Sequence, residues 1–452
     1  MSASTSAPRP WRAEAFQIFK IALPIVLAQL AQMSFNVVDT IMAGHLNAEA
    51  LAAVSVGMNL FNPLFIFAIG VFLALNPIVA HLNGRGETES IGEHLSQGLW
   101  LSLFLAVPSF FLLRHTESLI HLLGIEASVV PTVLAFLHAL SWGVFPLFAV
   151  LALRFFNEGL FNTRPMMLLN LGAIPLYVLF NDTLMHGKYG FPALGAVGIG
   201  YATASVWTLQ ALVLVTYTAR TPRYRSLRIF HEFNWPRRDE LFEILRMGIP
   251  IAVSLAMEAL LFIAVGLLIG RLDVTVIAGH QIALNIASVA FMVPLGLSMA
   301  VTARVGYYAG KGSASEVRRS GFIGIAMAGG FMLVTITLLT LMPETITGFY
   351  TDDRAVQHVA LQLLVFAAVF QLSDGLQVSG QGALRGLKDT QVPMLTNAIA
   401  YWGIGFPISY WLGTVREMGA AGFWIGLVAG LTAAALFHNG RFWWLSRRRL
   451  PE

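Results

Sequence analysis

Three acids stand where the surrounding sequence is almost wholly apolar: Asp39, Glu258 and Asp374. A carboxylate near mid-membrane costs roughly 2.5–3.5 kcal/mol on insertion scales, so an acid in such a place is a functional residue by default. A buried carboxylate stays ionised beside a cation, or takes up a proton when desolvation raises its affinity for one. Either behaviour suits a carrier that binds and releases H⁺ or Na⁺. The competing reading is a fixed ion pair with a membrane Arg or Lys. No basic residue is expected at the depth of the acids, since Arg154 and Arg304 fall near the cytoplasmic ends of their spans.

Two of the acids lie within polar stripes. Gln29, Gln32, Asn36 and Asp39 stand at i, i+3, i+7 and i+10 in IALPIVLAQLAQMSFNVVDTIMAG, so on a helix they share one face. Gln371, Asp374, Gln377 and Gln381 do the same at i, i+3, i+6 and i+10, and Ser254 precedes Glu258 by one turn. A second span in each half carries Ser55, Asn59 and Asn62, or Gln281, Asn285 and Ser288. These faces are expected to look inward. They either line a cavity or form interhelical hydrogen bonds of about 0.6 kcal/mol each. His138 reads as a packing residue or a proton relay, and His45 and His280 as interfacial residues near outer ends.

The elements that must position these groups are membrane helices. Of the 452 residues 56% are hydrophobic and 12% charged, with a mean hydropathy of +0.70. Soluble domains average about 25% charged. Apolar runs predict about twelve spans, at 16–41, 52–79, 95–113, 127–150, 165–185, 193–217, 243–269, 278–303, 318–342, 356–380, 393–413 and 419–443. The expected organisation is a tail (1–15), an N-lobe (16–217), a basic linker (218–242), a C-lobe (243–445) and a basic tail (446–452). The N-terminal MSASTSAPRPWR has no clear cleavage site after it, so no processing is expected. With the N-terminus in the cytoplasm, only Arg114, Lys188, Arg271, Arg354 and Arg416 of the 28 Lys and Arg fall outside, which supports cytoplasmic termini.

The halves repeat. A shift of 226 superposes Pro24 on Pro250, Gly44 on Gly270, Asn59 on Asn285 and Gly84-Arg85-Gly86 on Gly310-Lys311-Gly312. GLFNTRP (159–165) matches GLKDTQVP (386–393) with one residue inserted. Six spans per half make the repeat parallel, with a pseudo-twofold along the membrane normal. The predicted fold class is therefore all-α and polytopic, with twelve helices in two six-helix lobes.

Other chemistries find no support. The absence of Cys excludes disulfides and thiolate metal sites. The net charge of +4 is spread over short loops, which does not suggest nucleic-acid binding. There is no phosphate-binding glycine loop, no metalloprotease His pair and no nucleophile elbow, and GKGSASE (310–316) reads as a turn. No enzyme activity, cofactor or metal is expected beyond a possible Na⁺.

PIVLAQLAQMSFNVVDTIMAGHL, LRFFNEGLFNTRP (153–165), AGHQIALNI (278–286) and FQLSDGLQVSGQGALRGLKDTQVP (370–393) together resemble the multidrug and toxic compound extrusion (MATE) family, in its NorM-type bacterial branch. The resemblance runs over essentially the whole chain. It implies export of organic cations, dyes and fluoroquinolone-like drugs in exchange for H⁺ or Na⁺, by alternating access of two lobes. It implies a monomer in the bacterial inner membrane. Asp39 matches the acid of the N-lobe cation site, Asn181 its polar partner and Pro24 a hinge in the first helix. Tyr177 stands where many members carry Asn. Glu258 and Asp374 match the C-lobe acids, with Phe370 where sodium-coupled relatives have Tyr. That loss weakens a sodium site without deciding between the two ions. The alternative is a lipid-linked precursor flippase of the wider superfamily, which needs a cationic cavity where this chain is acidic.

Overall fold

The computed structural model describes residues 10–227 and 234–448. The first nine residues of the N-tail, the middle of the linker with Arg228, and the last four residues of the C-tail lie outside the described residues. Those described are helical, with no strand among them. In chain order the first half comprises α1 (Trp11–Leu46), α2 (Ala48–Leu73), α3 (Leu75–Arg85), α4 (Thr88–Arg114), α5 (Glu117–Leu122), α6 (Val130–Ser141), α7 (Val144–Gly159), α8 (Arg164–His186) and α9 (Ala196–Arg220). The second comprises α10 (Arg238–Ile269), α11 (Val274–Gly310), α12 (Ala314–Leu341), α13 (Pro343–Gly348), α14 (Arg354–Gly386), α15 (Gln391–Asn397), α16 (Phe406–Tyr410) and α17 (Gly419–Arg448).

Among the described residues ten helices are long and apolar enough to cross a membrane, and α6 with α7, bent by 48°, makes an eleventh when taken as one span. The span expected at 393–413 falls on Gln391–Val415, where α15 and α16 alternate with π-turns at Ala398–Gly405 and Trp411–Val415. No single regular helix there reaches spanning length, so the count stops short of the twelve that hydropathy predicts. Side chains such as Leu212, Leu267 and Leu436 remain exposed on the spanning helices, as lipid-facing positions require.

The repeat is written into the backbone. Helices α2 and α11, α4 and α12, and α5 and α13 each begin 226 residues apart. Asn47 caps α2 by accepting from the Ala50 amide at 2.7 Å, and Asp273, at the same point of the second half, accepts from the Thr275 amide at 2.8 Å. Such a cap is worth about 1 kcal/mol. The hydroxyl and amide of Thr275 hold the Asp273 carboxyl below its ordinary range. Among the described residues four non-glycine residues adopt left-handed backbone: Phe161 and Lys388, both with φ of 59°, and Tyr189 and Glu417, with φ of 56° and 55°. They form two pairs at matching loops of the two halves, where GLFNTRP aligns with GLKDTQVP and where the next connection follows.

The chain divides into two compact units. One takes in the chain up to Val26, Asn83–Arg85 and everything from Val253; the other takes in Leu27–Leu82 and Gly86–Ala252. Thus α1 and α10 each change unit within their length, two residues after Pro24 and Pro250. In the first of these units, Leu261, Val265, Ala287, Ala367, Phe370, Trp424 and Leu427 build a buried apolar core. Close approach is fixed by glycine: a Cβ on Gly422 would lie 2.6 Å from the Gly413 amide nitrogen. Glu14 is wholly buried there and ion-paired with Arg304, whose guanidinium also donates to Tyr308.

In the other unit, Ala173, Tyr177 and Val206 form a buried cluster joined by Phe35, Val38 and Phe180. The linker begins by docking onto Asn157 and Asn162 of the same unit. Tyr224 is 3% exposed and donates to Asn157 Oδ1 at 2.5 Å while accepting from Asn162. Burial pushes its phenol up to about 12.

Candidate functional site

In the unit that holds most of the first half, Asp39 is 6% exposed among the apolar cluster just described. The α1 stripe carries it to α8, where the Tyr177 hydroxyl donates to Asp39 Oδ1 at 2.5 Å. The same hydroxyl lies 2.8 Å from Thr203 Oγ1 on α9, and Thr203 donates to the Ile199 carbonyl at 2.8 Å. Phe35 covers the Tyr177 ring at 4.9 Å between centroids. Asn181, one turn beyond Tyr177, is fully buried and near enough to act on both Asp39 and Tyr177. Neither of its amide atoms closes a hydrogen bond of ordinary geometry. The structure therefore brings together three residues that sequence singles out, Asp39, Tyr177 and Asn181, and adds Thr203. Thr203 lacks a sequence signal, because nothing in the order of residues sets it apart from the other hydroxyls of α9, Ser205, Thr208, Thr216 and Thr218.

The hydroxyl chain suits both charge states of the acid. With Asp39 ionised, Tyr177 donates to it. With Asp39 protonated, the carboxyl can donate to Tyr177, Tyr177 to Thr203, and Thr203 to Ile199. Each buried hydroxyl keeps a partner in either case, so neither state carries the penalty of about 1–3 kcal/mol for an orphaned polar group.

The rest of the α1 stripe divides. Arg154 donates to Gln29 at 2.9 Å and to Gln32 at 3.5 Å, and is ion-paired with the buried Glu158 at 2.9 Å. Asn36 is exposed, as are Ser55, Asn59 and Asn62 on α2. Interhelical hydrogen bonding does not account for Asn36, Asn59 and Asn62, whose side chains carry none among the described residues.

In the unit that holds most of the second half, Asp374 is 5% exposed with Oδ1 unpartnered, while Glu258 is half-buried. The two carboxylates act on each other, and the Tyr401 hydroxyl and Arg385 guanidinium act on Glu258. Gln377 is wholly buried and donates to Tyr401 at 2.9 Å. Gln371 accepts from Thr335 at 2.6 Å. Ser254 is buried. Gln281 and Asn285 are exposed, with Asn285 accepting from Tyr350 at 3.0 Å.

Two expectations need correction. Arg385 lies beyond the span predicted at 356–380, and no basic residue is expected at the depth of the acids. The structure buries Arg385 to 2% exposure, with its Nη2 donating to Ser298 at 2.7 Å, within electrostatic reach of Glu258. It still makes no ion pair with either acid among the described residues. His280 is not interfacial: it is 3% exposed, and its Nδ1 accepts from Trp424 at 3.2 Å. His138 is exposed and contacts the Arg114 carbonyl at 3.2 Å. Pro24 is buried within α1. Tyr401 and His438 also escape the sequence reading. His438 stands beside Asn439 and Arg441 near the end of an apolar run, and Tyr401 sits in π-turns that hydropathy cannot register. No cluster of three or more His, Asp or Glu able to hold a metal occurs among the described residues.

Comparison with known proteins agrees with this architecture. The MatE family model matches residues 24–181 and again 250–411, the two matches beginning one repeat apart. The probable multidrug resistance protein NorM of Xanthomonas axonopodis pv. citri (strain 306) is 40% identical, over 99% of this chain and 98% of its own. The multidrug resistance protein MdtK of Proteus mirabilis (strain HI4320) is 38% identical over 96% of both chains. A solved multidrug resistance MATE family transporter of the MOP superfamily, in an outward-facing conformation, shares the fold with a TM-score of 0.87 over 97% of both chains, at 19% identity. On the doubled match, the near full-length relatives and the spanning helices, this chain is an integral membrane protein that belongs to the MatE family.

Proposed function

We propose that the protein is a multidrug efflux transporter of the bacterial inner membrane, with both termini cytoplasmic, exporting organic cations, dyes and fluoroquinolone-like drugs in exchange for H⁺ or Na⁺. The curated relatives carry multidrug resistance names. The single observation that carries the coupling is the Asp39–Tyr177–Thr203 chain, which satisfies its buried hydroxyls whether or not Asp39 holds a proton. An acid poised in this way can load and unload a cation in each cycle. Asp39, with Tyr177 and Asn181 beside it, binds the coupling cation in the first half. Glu258 and Asp374 bind cation or cationic drug in the second, and Gln32, Asn36, Asn59, Gln281, Asn285, Gln371 and Gln377 supply polar lining. Antiport follows if cation and drug compete for the same acids, each favouring the state that binds it better. Pro24 supplies a hinge, since a proline inside a helix removes one backbone hydrogen bond.

The test is ethidium or fluoroquinolone transport in vesicles under imposed H⁺ or Na⁺ gradients. Efflux driven by either gradient supports the reading. Efflux that ignores both overturns it.

A further inference from the structure

Buried polar groups that the acids do not use collect beside Glu258 and Asp374. One turn past Asp374, Gln377 is 0% exposed; its amide nitrogen donates to Tyr401, but its Oε1 has no partner. His438 on α17 is 1% exposed. Its Nδ1 lies 3.4 Å from the Gln377 carbonyl, and its Nε2 has no partner. Asn397, one turn before Tyr401, is 0% exposed with both amide atoms unpartnered. Asp374 Oδ1 and Arg385 Nε are unpartnered as well.

These atoms are neighbours rather than scattered defects. Tyr401 acts on Glu258 and accepts from Gln377, and the Gln377 carbonyl meets His438. His438 in turn lies within reach of Arg385, Asp389 and the Pro393 carbonyl, and Pro393 is one turn before Asn397. Asp389 is ion-paired with Arg441. A buried polar atom left without a partner costs about 1–3 kcal/mol, so native interiors carry few of them and satisfy most with internal water. Such atoms on residues linked in this way call for water.

We propose that Gln377, Tyr401, Asn397 and His438 line a chain of internal water that joins the Glu258–Asp374 pair to the end of α14 at Arg385 and the loop beyond it with Lys388 and Asp389, so that the pair exchanges protons with that side of the membrane. The exchange step rests on the antiport reading above; the hydration does not. The water chain gives the acids a path that does not require the whole drug route to open. His438 is the one imidazole on it, with Arg385 and Asp389 the charged groups that face it.

The chain has no Cys, so single-cysteine variants report on hydration without background. In liposomes, Asn397→Cys is expected to react with a small membrane-permeant methanethiosulfonate at least tenfold faster than Ala400→Cys, whose site lies in the dry apolar core. Equal, slow labelling at both positions overturns the water chain. His438→Phe, which fills the water chain with an apolar ring, is expected to slow the internal pH change on ethidium addition at least fivefold, with His438→Gln closer to wild type. Wild-type proton movement in His438→Phe overturns the exchange role. Wild-type ethidium efflux that ignores both H⁺ and Na⁺ gradients sinks the antiport reading instead, and leaves the labelling result standing.

Discussion

Glu14 and Arg304, 290 residues apart, form a bidentate ion pair in which Glu14 is wholly buried. Tyr308 closes the site by donating to the same carboxylate at 3.1 Å. The start of α1 is thereby fastened to α11, which places the first turns of α1 in one compact unit with most of the second half.

Removing one partner of a buried pair leaves an uncompensated charge and costs about 3–5 kcal/mol. Arg304→Ala is therefore expected to lower the unfolding midpoint in detergent markedly. The double variant Glu14→Gln/Arg304→Met is expected to recover most of the loss. A thermal unfolding series distinguishes the two; an Arg304→Ala protein as stable as wild type would show that the pair contributes nothing.

At the first-half acid, Tyr177→Phe keeps the ring packed against Phe35 and deletes only the hydroxyl. A hydrogen bond to a charged group is worth about 1.5–3 kcal/mol, which corresponds to roughly tenfold or more in cation affinity at Asp39. Gradient-driven ethidium efflux is expected to fall at least fivefold with normal insertion. Thr203→Val, one step further along the chain, is expected to give a smaller loss.

The second-half acids are tested in both ions. Glu258→Gln and Asp374→Asn are expected to lose most coupled efflux in both H⁺ and Na⁺ buffers, as Asp39→Asn is, while still inserting. A variant that pumps like wild type in both buffers takes its residue out of the mechanism.

Pro24 and Pro250 precede by two residues the points at which α1 and α10 change compact unit. Replacing either by Ala restores a backbone donor within the helix. Pro24→Ala is expected to reduce transport severalfold without lowering thermal stability, and Pro250→Ala to act in the same direction. Unaltered efflux rates in both would remove the hinge role.

Much of this molecule is legible in its order of residues because the relevant quantities are local. Hydropathy over a window marks the spanning helices, and the 3.6-residue period puts Asp39 and Asp374 on polar faces. A shift of 226 finds the repeat that the caps at Asn47 and Asp273 and the paired left-handed residues Phe161 and Lys388 display in three dimensions. Partner choice is not local. Tyr177 reaches Asp39 across 138 residues, Trp424 reaches His280 across 144, and Arg385 becomes a buried neighbour of Glu258 only when α10, α11 and α14 have packed. The π-turns that seat Tyr401 beside Gln377 leave no mark on hydropathy at all. Sequence settled that acids would lie within the apolar spans; packing of distant helices decided which hydroxyls, amides and rings they meet there, because a side chain's surroundings are set by every helix that closes around it.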